Sequence, residues 1–240
     1  MKTENPNQPG PRNCSIKIIG VGSAGTGVLR QLHLSGEDGC AALALNTDPV
    51  TDMECLPLDA KQLRNVDAAE AGQTEAALAS ELPRLKDWCA GADVVFVVAG
   101  LGGKTGSAVS HIAARVARES GALVLGFVAM PFEFEGGRRL RQARMGLDKL
   151  KAAADGVVCL PNQKIFKLVD ENTSVLDAFR VAGELLAGAV RGARRLLAAG
   201  GLIDIHFEEL CELLRGSHAE SLFATAEASG PERAGAVVEK

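Results

Sequence analysis

No apolar run in these 240 residues approaches the length of a membrane span. Met1 to Asn13 is polar and proline-rich, unlike a secretion signal. No direct membrane anchor is expected, and the opening segment reads as a disordered tail. Excess positive charge is missing as well. With 26 Lys and Arg against 30 Asp and Glu, the net charge is −4, which argues against nucleic acid as a main partner. The one basic run, Arg138, Arg139, Arg141 and Arg144, reads as the solvated face of a helix. Cysteines stand at 14, 40, 55, 89, 159 and 211, without a Cys-x-x-Cys spacing or a nearby histidine pair. That pattern suits neither a metal site nor a disulfide framework, so reduced thiols in a cytoplasmic setting are expected. There is no internal repeat and no low-complexity block.

At 47% hydrophobic and 23% charged, the composition is that of an ordinary soluble globular protein. The length allows one large core or two small ones. The most informative stretch runs from Asp93 to Val109. Val94 to Ala99 reads as a fully buried strand. Gly100, Gly102, Gly103 and Gly106 follow, with Thr105 and Ser107 among them, and then an amphipathic segment through Ser120. A strand that breaks into glycines and restarts as a helix aims several N–H groups at one spot, in front of the helix's positive end. That is an anion site, most often for phosphate. Thr105 and Ser107 are placed to cap the helix or to donate hydroxyls to the phosphate. A Walker A loop would need a glycine where Val98 stands, inside the strand, so that reading fails.

A second such junction comes first in the chain. Ser15 to Gly20 reads as a strand, Gly20 to Gly25 carries the G-x-G-x-x-G spacing, and a helix is expected from Thr26 to Ser35. Cys40 to Leu45 reads as a strand ending on Asn46-Thr47-Asp48, and Met53 to Leu58 as a short third strand. Lys61 to Gly72 is an irregular polar connection, and Thr74 to Cys89 a helix bent near Pro83. Leu123 to Met130 and Val157 to Leu160 are further strands around a helix from Arg138 to Ala154. Strands alternating with helices, apolar on both faces, predict a parallel α/β sheet covered on each side. From Ser174 to Ala199 one long amphipathic helix is expected, closed by Gly200-Gly201. Leu202 to His206 is a loop, and Phe207 to about Ala226 reads as helical, with Gly216 as its weak point.

Two glycine loops after strands, plus the long helix, resemble the FtsZ/tubulin family of nucleotide-dependent cytoskeletal GTPases, in its FtsZ branch. Gly100 to Ser107 is similar to the family's G-x-G-G-G-T-G-[ST] signature, with Lys104 replacing one glycine. Gly20-Val21-Gly22 resembles its first phosphate loop and Asn46-Thr47-Asp48 its second. Pro131 to Gly136 with Arg139 resembles P-F-x-F-E-G-x-x-R, and Pro161-Asn162 and Leu176 to Arg180 resemble two later segments. These matches keep their order from residue 16 to about 230.

The resemblance implies a Rossmann-like GTPase domain over 14–173, a central helix over 174–199, and a catalytic-type loop, one helix and a frayed end over 200–240. It implies GTP or GDP as ligand and admits Mg2+ beside the phosphates. Phosphate contacts fall to Gly20, Gly22, Ser23, Ala24, Gly102, Gly103, Lys104, Thr105, Gly106 and Ser107. Ribose and base contacts fall to Asn46, Glu135, Arg139, Asn162, Phe179 and the position of Gly183. The water-positioning loop maps to Asp204, His206 and Glu209.

The departures from the family pattern set the functional expectation. A carboxylate that reads guanine in the family is Gly183 here, and the middle acid of the water-positioning loop is His206. The third phosphate loop, Asn65 to Gly72, has lost glycines and gained acids that would repel a γ-phosphate. The family's second α/β domain is not expected after Lys240, so ordinary head-to-tail filaments are not expected either. The leading expectation is a nucleotide-binding FtsZ-like protein with weak or absent GTP hydrolysis, acting on itself or on a full-length FtsZ. The alternatives are an active GTPase completed by the Asp204, His206 and Glu209 loop of a neighbouring subunit, an NAD(P)-binding oxidoreductase of Rossmann type, and a scaffold with an empty pocket.

Overall fold

The computed structural model describes residues 14–32, 40–60, 63, 71–167, 173–198, 207–215 and 219–221. Among the described residues, seven parallel strands form one sheet: β1 (Ile16–Val21), β2 (Ala41–Asn46), β3 (Cys55–Pro57), β4 (Val94–Gly100), β5 (Leu123–Met130), β6 (Gly156–Pro161) and β7 (Ala219–Ser221). Their spatial order is β3-β2-β1-β4-β5-β6-β7. The chain runs outward from β1 in one direction, then returns and runs outward from β4 in the other. The seam between β1 and β4 is therefore a topological switch point, where open α/β sheets bind ligands beyond the carboxyl ends of their strands. Register aligns the two ends there, with Val21 opposite Ala99.

Helices cover both faces because the strands present apolar residues alternately to each. Ile19, Val21, Val95, Val97, Val124 and Val128 pack against α2 (Ala71–Leu78), α3 (Leu82–Cys89), α4 (Lys104–Glu119) and α5 (Gly137–Ala153). Ile16, Ile18, Val94, Phe96, Val98, Leu123 and Phe127 face α1 (Gly22–Gln31) and the central helix α6 (Val175–Ala198). Phe96 and Phe127 meet edge to face at 5.1 Å under that second layer. A further helix, α7, is Phe207–Leu214.

Three sequence expectations change. Pro83 does not bend one helix; it stands in the first turn of α3, separate from α2, a position whose N–H has no intrahelical partner in any case. The first helix starts at Gly22 and takes in the glycines assigned to a loop. The segment after residue 207 is not one helix to 226. Its helix stops at Leu214, and Ala219–Ser221 adds to the sheet edge beside Gly156–Val158. Gly200-Gly201, the 202–206 loop and the 1–13 tail lie outside the described residues, as do 65–70 of the third phosphate loop.

Candidate functional site

Two helices begin at the switch point, α1 after β1 and α4 after β4, and neither has a side-chain cap on its first N–H groups. The leading residues are Val21 for α1 and Gly103, extended at φ −84 and ψ 158, for α4. The two helix starts touch. A Cβ on Gly22, which has φ +70, would lie 3.4 Å from the Thr105 Cβ and 3.5 Å from the Gly106 nitrogen. Each uncapped start carries several orphan N–H groups and a partial positive charge, so the pair forms one electropositive cradle.

The glycines divide into two kinds. Some exist for close approach of backbone to backbone. A Cβ on Gly106 would collide with the Gly100 carbonyl oxygen, and one on Gly25 with that of Val98. Gly20 is closed in by the Leu29 Cδ1 at 2.7 Å, and Gly100 by the Ala24 Cβ at 2.7 Å. Gly103 is different: a Cβ there would meet nothing within 4 Å. It is open toward whatever lies in front of α4. Ser23, Ala24, Gly103 and Lys104 are exposed, while Gly106 and Ser107 are buried.

Ser107 uses its hydroxyl inside the loop, accepting the Gly102 N–H at 2.8 Å. Gly102 has φ +94 and lies against Arg139 and Pro131, with its Cβ direction 3.1 Å from the Arg139 carbonyl oxygen. This places Glu135 and Arg139 beside the phosphate-type loop. Glu135 is held on both sides, one carboxylate oxygen accepting the Phe132 N–H at 2.8 Å and the other the Arg139 guanidinium at 2.6 Å.

Asn46 is buried and braces the first loop. Its amide lies 3.5 Å from the Thr26 hydroxyl, which donates to the Gly22 carbonyl at 2.9 Å, and its oxygen accepts the Thr47 N–H. The Ser23 hydroxyl donates to Asp48 at 3.3 Å, a link that the sequence did not suggest. Asn162 is 5% exposed and its side-chain oxygen has no partner.

Phe179 turns edge-on to the buried Phe132 at 5.2 Å, and Phe134 stacks on the same ring at 5.0 Å. Phe166 completes the cluster. Of these four, the sequence offered only Phe179 as a base contact; Phe132 and Phe134 stood in the P-F-x-F-E-G-like segment, and that they meet Phe166 and Phe179 shows only in the fold. Gly183 stands across from Gln31 on α1. Glu209 is exposed in the first turn of α7, and Asp204 and His206 lie outside the described residues. Among the described residues, no group of three or more His, Cys, Asp or Glu is placed to hold a metal.

Residues 15–170 match the model of the Tubulin/FtsZ family, GTPase domain. The chain belongs to this family. The cell division protein FtsZ of Rickettsia felis is 32% identical over 226 residues, covering 92% of this chain and 50% of the relative. The FtsZ of Rickettsia bellii is 32% identical over 238 residues, covering 95% and 52%. The chain thus spans about half the length of these curated relatives. Among solved structures, an empty FtsZ dimer of M. jannaschii superposes with a TM-score of 0.81 at 30% identity, covering 94% of this chain and 67% of that one. CetZ2 from Haloferax volcanii, in a GTPγS-bound protofilament, has a TM-score of 0.68 at 24% identity, covering 90% and 67%, and shares the fold. This FtsZ-like chain therefore has the parallel-sheet GTPase-domain fold that the glycine loops foretold. Among its described residues, no helix is long and apolar enough to cross a membrane.

Proposed function

We propose that this FtsZ-like cytoskeletal protein binds a guanine nucleotide, GTP or GDP, in the cytoplasm and hydrolyses GTP weakly or not at all. The observation that carries the reading is the pair of touching, uncapped helix starts at Gly22 and Gly103. Two positive helix ends at one switch point suit a chain of phosphates. The N–H groups of Gly22 to Ala24 and of Gly103 to Thr105 take the phosphate oxygens, and Lys104, exposed at the start of α4, adds an ammonium. Gly20, Gly106 and Ser107 act by shaping the loops, and Asn46 by bracing the first one. Glu135 and Arg139 take the ribose, and Asn162 and Phe179 the base. Mg2+ bound with the nucleotide would lean on phosphate oxygens and water, as this ion commonly does.

Weak hydrolysis follows from the water-positioning loop. His206 replaces an acid there, and an imidazole orients water less strongly at neutral pH than a carboxylate accepting its proton. Regulation of a full-length FtsZ, or pairing with a second copy, is the action proposed for such a protein. The test is GTP turnover by the purified chain over a wide range of protein concentration. The expected result is a rate near background that rises in proportion to protein. Turnover rising more steeply than protein would overturn it in favour of a site completed by the Asp204, His206 and Glu209 loop of a neighbour.

A further inference from the structure

A glycine inside a helix costs about 1 kcal/mol relative to alanine. Gly183 lies well within the 24 residues of α6, so its bare backbone calls for a reason. The reason faces it from α1. A Cβ on Gly183 would lie 3.0 Å from the Gln31 side-chain nitrogen and 3.3 Å from its oxygen. The Gln31 carboxamide thus occupies the space a side chain at 183 would fill. Its oxygen is shielded from solvent and accepts no hydrogen bond, and a buried carbonyl oxygen of this kind waits for a donor.

The surroundings suit a flat heterocycle. Phe179, a residue 40% exposed, stands one helical turn before Gly183 on the same face of α6. Gly27 stands one turn before Gln31 on α1, and a Cβ there would meet nothing within 4 Å. Asn162, also with an unpartnered buried oxygen, belongs to the short segment whose Ile165 packs on Ala178 and Ala182 of the same stretch of α6. An exposed phenylalanine, an open gap and the unpaired Gln31 oxygen lie along the facing stretches of α1 and α6, and the segment that carries Asn162 packs on the same part of α6.

We propose that Gln31 reads the base edge in this protein, accepting the N1–H of a 6-oxopurine and donating to its O6, while the 2-amino group goes unread. The inference rests on the nucleotide reading above, with the base at Phe179 and Gly183. A carboxylate at position 183 would accept from both N1–H and the 2-amino group, and so would demand guanine. A carboxamide offers one donor and one acceptor side by side. It pairs equally with guanine and with hypoxanthine, which lacks only the 2-amino group.

The experiment is calorimetric titration of the full chain, and of its Gln31→Leu and Gly183→Asp variants, with GDP and with IDP. The wild type should bind the two within about threefold, because Gln31 meets only the N1–H and O6 edge that the two bases share. Gln31→Leu, similar in volume, should weaken both by about tenfold or more. Gly183→Asp displaces only the flexible end of Gln31 and should raise the GDP preference to about tenfold or more. A thermal melt of each variant separates lost binding from lost folding. A wild-type GDP preference beyond about tenfold overturns the assignment, as does unchanged affinity in Gln31→Leu or an unchanged ratio in a folded Gly183→Asp. In those outcomes the nucleotide reading stands; if the wild type binds neither nucleotide, both fall.

Discussion

Three glycines in and beside the two loops should respond to alanine in three different ways. At Gly106 a Cβ would run into the Gly100 carbonyl oxygen, so α4 and β4 must separate. Overpacking of this kind costs about 1–3 kcal/mol, which for a chain of this size lowers Tm by about 3–10 °C. At Gly103 the backbone is extended at φ −84 and a Cβ meets nothing. Gly103→Ala should therefore stay within about 0.5 kcal/mol of the wild type while weakening nucleotide binding, because the methyl stands in front of the cradle. At Gly27, inside α1, the added Cβ is again free, and helix propensity should stabilise the ligand-free protein by about 0.5–1 kcal/mol. Thermal melts followed by far-UV circular dichroism, with Trp88 fluorescence as a second probe, give the order Gly27→Ala, wild type, Gly103→Ala, Gly106→Ala. Trp88 is the only tryptophan and lies on α3, bonded to Glu54. Equal losses in all three variants would refute the division of these glycines by Cβ environment.

His111, buried in α4, should make the protein acid-sensitive. Burial, with Lys149 and Arg115 nearby, pushes its imidazole down to about 4 from an ordinary 6.5. The unfolded chain therefore takes up a proton that the folded chain refuses, and stability falls as pH drops from about 6.5 to about 4, by about 2–3 kcal/mol in total. Urea midpoints at pH 7 and pH 5 should differ less in His111→Leu than in the wild type, and an equal difference would exclude His111 as the source. Glu135→Ala should cost about 1–2 kcal/mol, since it strips the partner from the Phe132 N–H and from Arg139. Its effect on nucleotide affinity should exceed that of Asp177→Ala, an exposed pair at the start of α6 whose loss leaves the loops intact. Comparable affinities in the two variants would count against Glu135 in the site.

The parallel sheet was legible because apolar runs alternate with amphipathic segments, and β2 and β4 end on the turn formers Asn46 and Gly100. Local pattern and tertiary demand agree there. The misreadings fall where tertiary context decides. Pro83 is compatible with a helix interior kink and with a first turn, and only the break at Ala79–Glu81 selects the second. Ala219-Glu220-Ser221 has little strand propensity; it becomes a strand because β6 offers it an open edge. Within the site, the glycine loops and the Glu135 and Arg139 spacing were readable as motifs. Gln31 was not, because its contact with Gly183 joins the end of α1 to the middle of α6 and leaves no periodic or spacing signal. The same holds for the four-phenylalanine cluster, assembled from the turn after β5, the turn after β6 and α6.

The most direct test of the central claim is nucleotide binding by the purified chain. Calorimetry with GDP, GTP and ATP, together with identification of any nucleotide that co-purifies, reads the cradle at Gly22 and Gly103 without depending on turnover. The account predicts saturable binding of GDP and GTP at one nucleotide per chain, weakened by Gly103→Ala in a protein that melts like the wild type. No heat with any nucleotide, from a folded protein carrying none, would contradict it.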